Sequence, residues 1–302
     1  MDCADLRVGI WNSMDELAAT GALVGDMLQM IAVDPACQGE DLAAKVITAL
    51  LREARARGKN CVYMISKRAS APSFEGLGFR RAAETADAVL LEWGNPGIGE
   101  FCDGLRRLAE PEKKTGCIVM NANPFTRGHR YLAEQAAAAV DKLFILVVEE
   151  DRSEFPFELR LELVKKGTAD LSNVTVLPGS RYVISSLTFP AYFLRDAEKA
   201  RAESELDASI FADRIAPALG ITERFVGTEP LSASTDVYNE TLKRLLPPKG
   251  IAVRELPRLE EAGEPISASR LRALLKEGRL EEACALAAPC TAEHLRRQAG
   301  EK

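Results

Sequence analysis

Histidine is nearly missing from this 302-residue chain, which carries only His129 and His294. A histidine-rich metal site is therefore excluded. No CxxC pair occurs among the seven cysteines, Cys3, Cys37, Cys61, Cys102, Cys117, Cys284 and Cys290. Their scatter suits reduced thiols in a cytoplasmic protein better than a disulfide framework or a zinc site. No apolar run reaches membrane-spanning length. The start, MDCADLRVGIW, lacks both a basic flank and a long apolar core, so no signal peptide is expected. Basic excess is missing too. A formal charge of −6 gives no reason to expect nucleic-acid binding, although an anionic small substrate stays open because the local field outweighs the sum.

What is present describes a globular α/β protein. Apolar residues make up 47% and charged residues 28%, enough to bury a full core in one large or two modest domains. The organising stretch is 116–139, GCIVMNANPFTRGHRYLAEQAAAA. Ile118, Val119 and Met120 read as a buried strand, and Tyr131, Leu132 and Gln135 recur at helical spacing in an alanine-rich run. Between them lies a polar turn with Asn121, Asn123, Thr126, Arg127, Gly128 and His129. A strand feeding the N-terminus of a helix is an arrangement that binds phosphate, because free N–H groups converge there and the helix dipole favours negative charge. The turn has neither a G-x-G-x-x-G pattern nor a Walker lysine.

In chain order, residues 1–93 form a first unit, 94–114 a linker and 115–302 a second unit. In the first, 23–33 reads as a strand, 34–41 as a turn leading to a helix that runs to about residue 57, 61–65 and 88–92 as strands, and 74–79 as a turn-rich piece. The linker is marked by Asn95-Pro96-Gly97 and a charged run at 110–114, with a brief helical piece around Leu105 and Leu108. The second unit alternates strands at 143–148, 174–177, 224–226 and 251–256 with helices at 157–168, 198–219 and 235–246. That alternation implies a mostly parallel sheet with helices on both faces. Ligands in such folds lie beyond the carboxyl ends of the strands, where His129, Asp151, Arg152, Arg181 and Glu229 fall. After the last strand comes PISASRLR, with Ser267 as N-cap and Ser269, Arg270 and Arg272 in the first turns, a second anion-facing helix start. Lys165, Lys166 and Arg160 are alternative cations, each more readily explained as a solvated helix side chain.

Two resemblances rest on these residues. Thr126-Arg127-Gly128-His129 is similar to the T/HxGH signature of nucleotidyltransferases related to the class I tRNA synthetases, and ISASRLR matches its partner motif. Within that superfamily the blocks at 121–137, 153–179, 181–194, 225–230 and 265–272 resemble the citrate (pro-3S)-lyase ligase family over nearly the whole chain. The first unit resembles a reduced GNAT acyltransferase core, whose Q/RxxGxG/A turn cups the pyrophosphate of acetyl-CoA. Here Asp41, in QGEDLA, stands at the second glycine position. A carboxylate there repels a pyrophosphate, so this unit is expected to be a scaffold or docking surface without acetyltransferase activity.

The resemblance implies a Rossmann-like nucleotidyltransferase domain that uses ATP and Mg2+ to activate acetate and acetylates the thiol of the CoA-like prosthetic group on the citrate lyase acyl carrier subunit. Carried over residue by residue, the catalytic groups are His129, Thr126 and Arg272. The ATP-binding set is Asn121, Asn123, Thr126, Gly128, His129, Arg181, Ser267, Ser269 and Arg272, with no protein metal ligand. Thr188, Phe189 and Tyr192 are candidates for an acetate pocket. The alternatives are an adenylyltransferase acting on a phosphopantetheine-like substrate and a non-enzymatic acyl-carrier-binding protein.

Overall fold

The computed structural model describes residues 4–149, 153–183, 196–228, 233–261 and 263–300. Two compact units emerge, one of Met1–Gly104 with Phe189–Ala202 and one of Leu105–Thr188 with Glu203–Lys302. Among the described residues no helix is long and apolar enough to cross a membrane.

The first unit is a six-stranded sheet. Its elements are β1 (Leu6–Trp11), β2 (Leu17–Val24), β3 (Met27–Val33), α1 (Leu42–Ala56), β4 (Cys61–Ser66), α2 (Ala71–Glu75), β5 (Arg80–Glu84) and β6 (Val89–Gly94), followed by α3 (Ile98–Arg106). The strand order is β1-β2-β3-β4-β6-β5. Neighbours pair antiparallel except β3 and β4, which touch in parallel at Met27 and Tyr63. This is the GNAT-like arrangement that the strand–turn–helix–strand pattern implied. The single strand expected over 23–33 is instead the join of two, because Gly25, at φ +58°, turns β2 into β3. The chain also places β1 ahead of them, and the charged β5 pairs at the sheet edge, where alternation is weak. α1 lays Val46, Ile47, Leu50 and Ala54 on the sheet as one buried stripe.

The second unit carries a five-stranded parallel sheet. β7 (Thr115–Met120) leads into α4 (Arg127–Ala139), then β8 (Lys142–Val147), α5 (Phe157–Gly167) and β9 (Val174–Pro178). Next come α6 (Asp196–Ile210), a single π-helical turn at Phe211–Ile215, α7 (Ala216–Leu219), β10 (Ile221–Gly227), α8 (Ala233–Leu245) and β11 (Ala252–Leu256). A small hairpin of β12 (Glu260–Glu261) and β13 (Glu264–Pro265) precedes α9 (Ala268–Lys276), α10 (Leu280–Leu286) and α11 (Pro289–Gly300). The order β11-β10-β7-β8-β9 makes β7 and β10 the pair at which the winding reverses. In a parallel sheet, a crevice opens at that point beyond the strand ends.

β7 and β8 are apolar along almost their whole length because both sheet faces are covered. On one face Ile118 and Phe225 pack with Ala133, Ala136 and Ala137 of α4. The alanines that favour a helix thus also let α4 lie close to the strands. Gly116 has the same cause, since a Cβ there would sit 2.7 Å from the Phe225 ring.

Candidate active site

The crevice at the β7/β10 reversal is a cavity of about 790 Å³. It gathers Asn121, Asn123, Thr126, Gly128, His129, Ser267, Ser269 and Arg272 from the predicted set. Arg181 lies in the short turn Ser180–Tyr182 after β9 and is not among the residues lining the cavity. Thr188, Phe189 and Tyr192, like Asp151, Arg152 and Glu229, fall outside the described residues.

Thr126 is the N-cap of α4 and is almost wholly buried. Its hydroxyl accepts from the His129 amide at 3.3 Å, and its own amide donates to His129 Nδ1 at 3.0 Å. A backbone N–H can only donate, so Nδ1 must be the acceptor and the proton of the neutral ring sits on Nε2. Nε2 has no hydrogen-bond partner among the described residues. Burial, and then the charge of Arg258, push the His129 pKa down to about 4. The group offered to the cavity is therefore a neutral N–H donor at a helix N-terminus.

Arg127 is directed elsewhere. Its guanidinium donates to the Glu261 carboxylate and to the Ala285 carbonyl, both at 3.0 Å, which staples the start of α4 to β12 and α10. Gly128 keeps space for protein rather than only for a ligand: a Cβ there would meet the Ile266 carbonyl at 3.1 Å. The missing side chain lets the loop ahead of α9 lie close against α4.

On α9, Ser267 is the N-cap and accepts from the Arg270 amide at 3.1 Å. Arg270 and Arg272, two positions apart, diverge. Arg270 pairs with Glu264 at 2.8 Å outside the cavity, and Arg272 turns inward. Arg272 donates to the Asn123 carbonyl at 2.5 Å and to Ser269 Oγ at 3.2 Å, with Glu154 at 3.8 Å from its Nε. One side chain thus ties the second motif to the first.

Arg160 corrects an expectation. Read as a solvated alternative cation, it is fully buried. Its Nε donates to the Phe155 carbonyl at 3.0 Å, and its Nη1 to the Asn121 carbonyl and Oδ1, both at 2.6 Å, and to the Val148 carbonyl at 3.0 Å. The Phe155 amide in turn donates to Asn123 Oδ1 at 3.0 Å. The segments after β7 and β8 are therefore held as one piece from below. Lys165 and Lys166 are exposed, as expected, and Lys166 pairs with Glu162.

Further cavity residues escaped the sequence: Glu154, Arg224, Tyr238, Asn239 and Arg258. Arg258 donates from Nε to the Thr228 carbonyl at 2.6 Å, so the segment after β11 supplies a cation beside His129. A Pro-Arg pair or strand-embedded arginine has no pattern of its own. The usable signal was position, just beyond or near the end of a parallel strand.

Compared with known proteins, residues 115–295 match the family model for the citrate lyase ligase C-terminal domain. The chain is 43% identical over 285 residues to a citrate (pro-3S)-lyase ligase of Klebsiella pneumoniae, spanning 92% of this chain and 83% of that protein. It is 39% identical over 290 residues to the Escherichia coli (strain K12) ligase, spanning 93% and 82%. Against the Haemophilus influenzae ligase it is 37% identical over 276 residues, spanning 88% and 82%.

Proposed function

This chain belongs to the citrate lyase ligase family, and we propose that it activates acetate with ATP and passes the acetyl group to the prosthetic-group thiol of the citrate lyase acyl carrier subunit in the cytoplasm. The observation that carries the reading is the convergence of two helix N-termini on one cavity. α4 brings Thr126, Gly128 and His129, and α9 brings Ser267, Ser269 and Arg272.

In the first half-reaction one acetate oxygen attacks the α-phosphorus of ATP. The bond from that phosphorus to the oxygen leading to the β-phosphate breaks, and pyrophosphate departs with the electron pair. No proton moves, so the work is orientation and charge stabilisation. His129 Nε2–H donates to a non-bridging phosphate oxygen as charge grows, and the free amides of the first turn of α4 add to it. Ser269 and Arg272 meet the departing pyrophosphate from the other helix start. Thr126 and Ser267 spend their hydroxyls on capping and act through the backbones they fix. Asn121 and Asn123 shape the turn, held by Arg160 and Arg272. Mg2+ would supply charge neutralisation on the phosphates, and Glu154, on the cavity wall, is a carboxylate among the described residues that could meet it. In the second half-reaction the carrier thiol sulfur attacks the acetyl carbon, the thiol hydrogen passes to solvent, and AMP leaves.

Pyrophosphate release from ATP tests the first half directly. It is expected to need acetate and to proceed without the carrier in at least a single turnover. Release that needs a phosphopantetheine-like molecule instead would favour the adenylyltransferase reading, and no release under any condition would leave a binding protein.

A further inference from the structure

Arg224 is the least satisfied charge in the cavity wall. It lies in the middle of the sheet on β10, opposite Cys117 of β7, and is only 1% exposed. Its Nη1 faces the Cys117 sulfur at 3.7 Å, a weak acceptor, and its Nη2 donates to the Tyr238 hydroxyl at 3.2 Å. Its guanidinium carbon stands 4.7 Å from the Phe211 ring centroid. The Nε–H is buried with no partner. Burial opposes the charge, yet Tyr238, Cys117 and Asp207 hold the Arg224 pKa above its ordinary value. A guanidinium has five donors, and leaving one buried and unpaired is costly unless something else supplies an acceptor.

Tyr238 is fixed for such a role. Its hydroxyl donates to Asp207 Oδ2 at 2.7 Å, so its oxygen lone pairs are left for Arg224. Burial raises the Tyr238 pKa, which keeps the phenol neutral and adds no negative charge beside the guanidinium. On the sheet face that carries Arg224, Val119 and Val226 also line the cavity, an apolar wall suited to a short hydrocarbon and not to a nucleotide phosphate.

We propose that Arg224, oriented by Tyr238, is the anchor for the carboxylate of the short acid that attacks ATP. This rests on the ligase reading above and adds the acid's place to it. The planar Nε–Nη edge matches a carboxylate, and the unpaired Nε is the donor it would satisfy. The phosphate-gripping groups stand on α4 and α9, whereas Arg224 stands on β10, so acid and nucleotide draw on separate residues. One carboxylate oxygen remains turned toward the phosphate side of the cavity for attack.

The test compares the unsubstituted full chain with Arg224→Met, Arg224→Lys and His129→Ala, using carbon-13-labelled acetate. Saturation-transfer NMR follows acetate binding in the presence of a non-hydrolysable ATP analogue, calorimetry follows the analogue itself, and melting temperature reports folding. The expected result is an acetate signal in the unsubstituted protein and in His129→Ala, and its loss in Arg224→Met. Arg224→Lys, which keeps the charge without the fork, is expected to weaken acetate by about tenfold. Analogue affinity is expected to stay within about threefold in both Arg224 variants. If Arg224→Met fails to fold, the lysine variant decides. Unchanged acetate binding in a folded Arg224 variant would overturn the proposal, as would absence of acetate signal in the unsubstituted chain. Acetate-dependent pyrophosphate release by the unsubstituted protein is read in parallel, so failure of the ligase reading is seen separately.

Discussion

With its Nδ1 occupied by the Thr126 amide and its ring buried beside Arg258, His129 is held as a neutral imidazole with Nε2–H as its donor. Its pKa of about 4 lies below the ordinary histidine value of about 6.5. Between those pH values the unfolded chain binds a proton that the folded chain does not. His129 therefore lets stability rise as pH climbs through that window, and withdraws it as pH falls. NMR titration of the ring is expected to give a midpoint well below 6.5, and His129→Ala to flatten the pH dependence of melting across the same range. A midpoint near 6.5 or above would mean that the ring acts as a cation. His129→Ala is also expected to lower turnover by roughly two to four orders of magnitude with a smaller loss of ATP affinity. Steady-state kinetics with varied ATP would show it, and turnover within threefold of the unsubstituted protein would remove the residue from the mechanism. Arg160 tests the floor of the site. Arg160→Met strands the carbonyls of Asn121, Val148 and Phe155 and is expected to cost about 3–5 kcal/mol in urea unfolding. A loss below about 1 kcal/mol would show that those segments are held by other means.

At the scale of elements, the site is a junction between the start of α4 and the start of α9. Gly128 is a point of close contact in it. Gly128→Ala favours the helix by about 1 kcal/mol but drives a Cβ against the Ile266 carbonyl. Melting temperature is expected to change little while calorimetric ATP affinity falls, and unaltered affinity would show that the junction tolerates spreading. The start of α9 was legible because capping chemistry is local, Ser267 standing directly ahead of a helix-forming run, whereas Thr126 was read as a ligand-facing hydroxyl and is found to cap α4. Arg160, Arg224 and Arg258 were not legible as site residues. A charged side chain on an amphipathic helix or short strand reads as solvated until the fold shows which carbonyls or rings surround it. The hairpin of β2 and β3 was missed for a related reason, since Gly25-Asp26 interrupts an apolar run too briefly to look like a turn.

Across the whole molecule, the sequence foresaw a GNAT-like first sheet and a mostly parallel second sheet, the second because regular strand–helix alternation marks it. In the first unit Asp41 takes a left-handed backbone, φ 56°, at the N-cap of α1 and makes no side-chain capping bond. A glycine would adopt that conformation without strain. If that turn faces a pyrophosphate, as the resemblance implies, the carboxylate would repel it. The full chain titrated calorimetrically with acetyl-CoA is therefore expected to show no binding at micromolar concentration. Micromolar binding that changes with Asp41→Ala would restore an acetyl-CoA site to this unit.

The central claim is that one cavity joins ATP, acetate and a carrier thiol. Intact-mass measurement of the deacetylated citrate lyase acyl carrier subunit, after incubation with this protein, ATP, magnesium and acetate, tests it most directly. The account predicts a mass increase of one acetyl group that disappears when ATP or acetate is omitted and is greatly slowed in His129→Ala. A carrier gaining an adenylyl group, or gaining nothing while pyrophosphate is released, would contradict it.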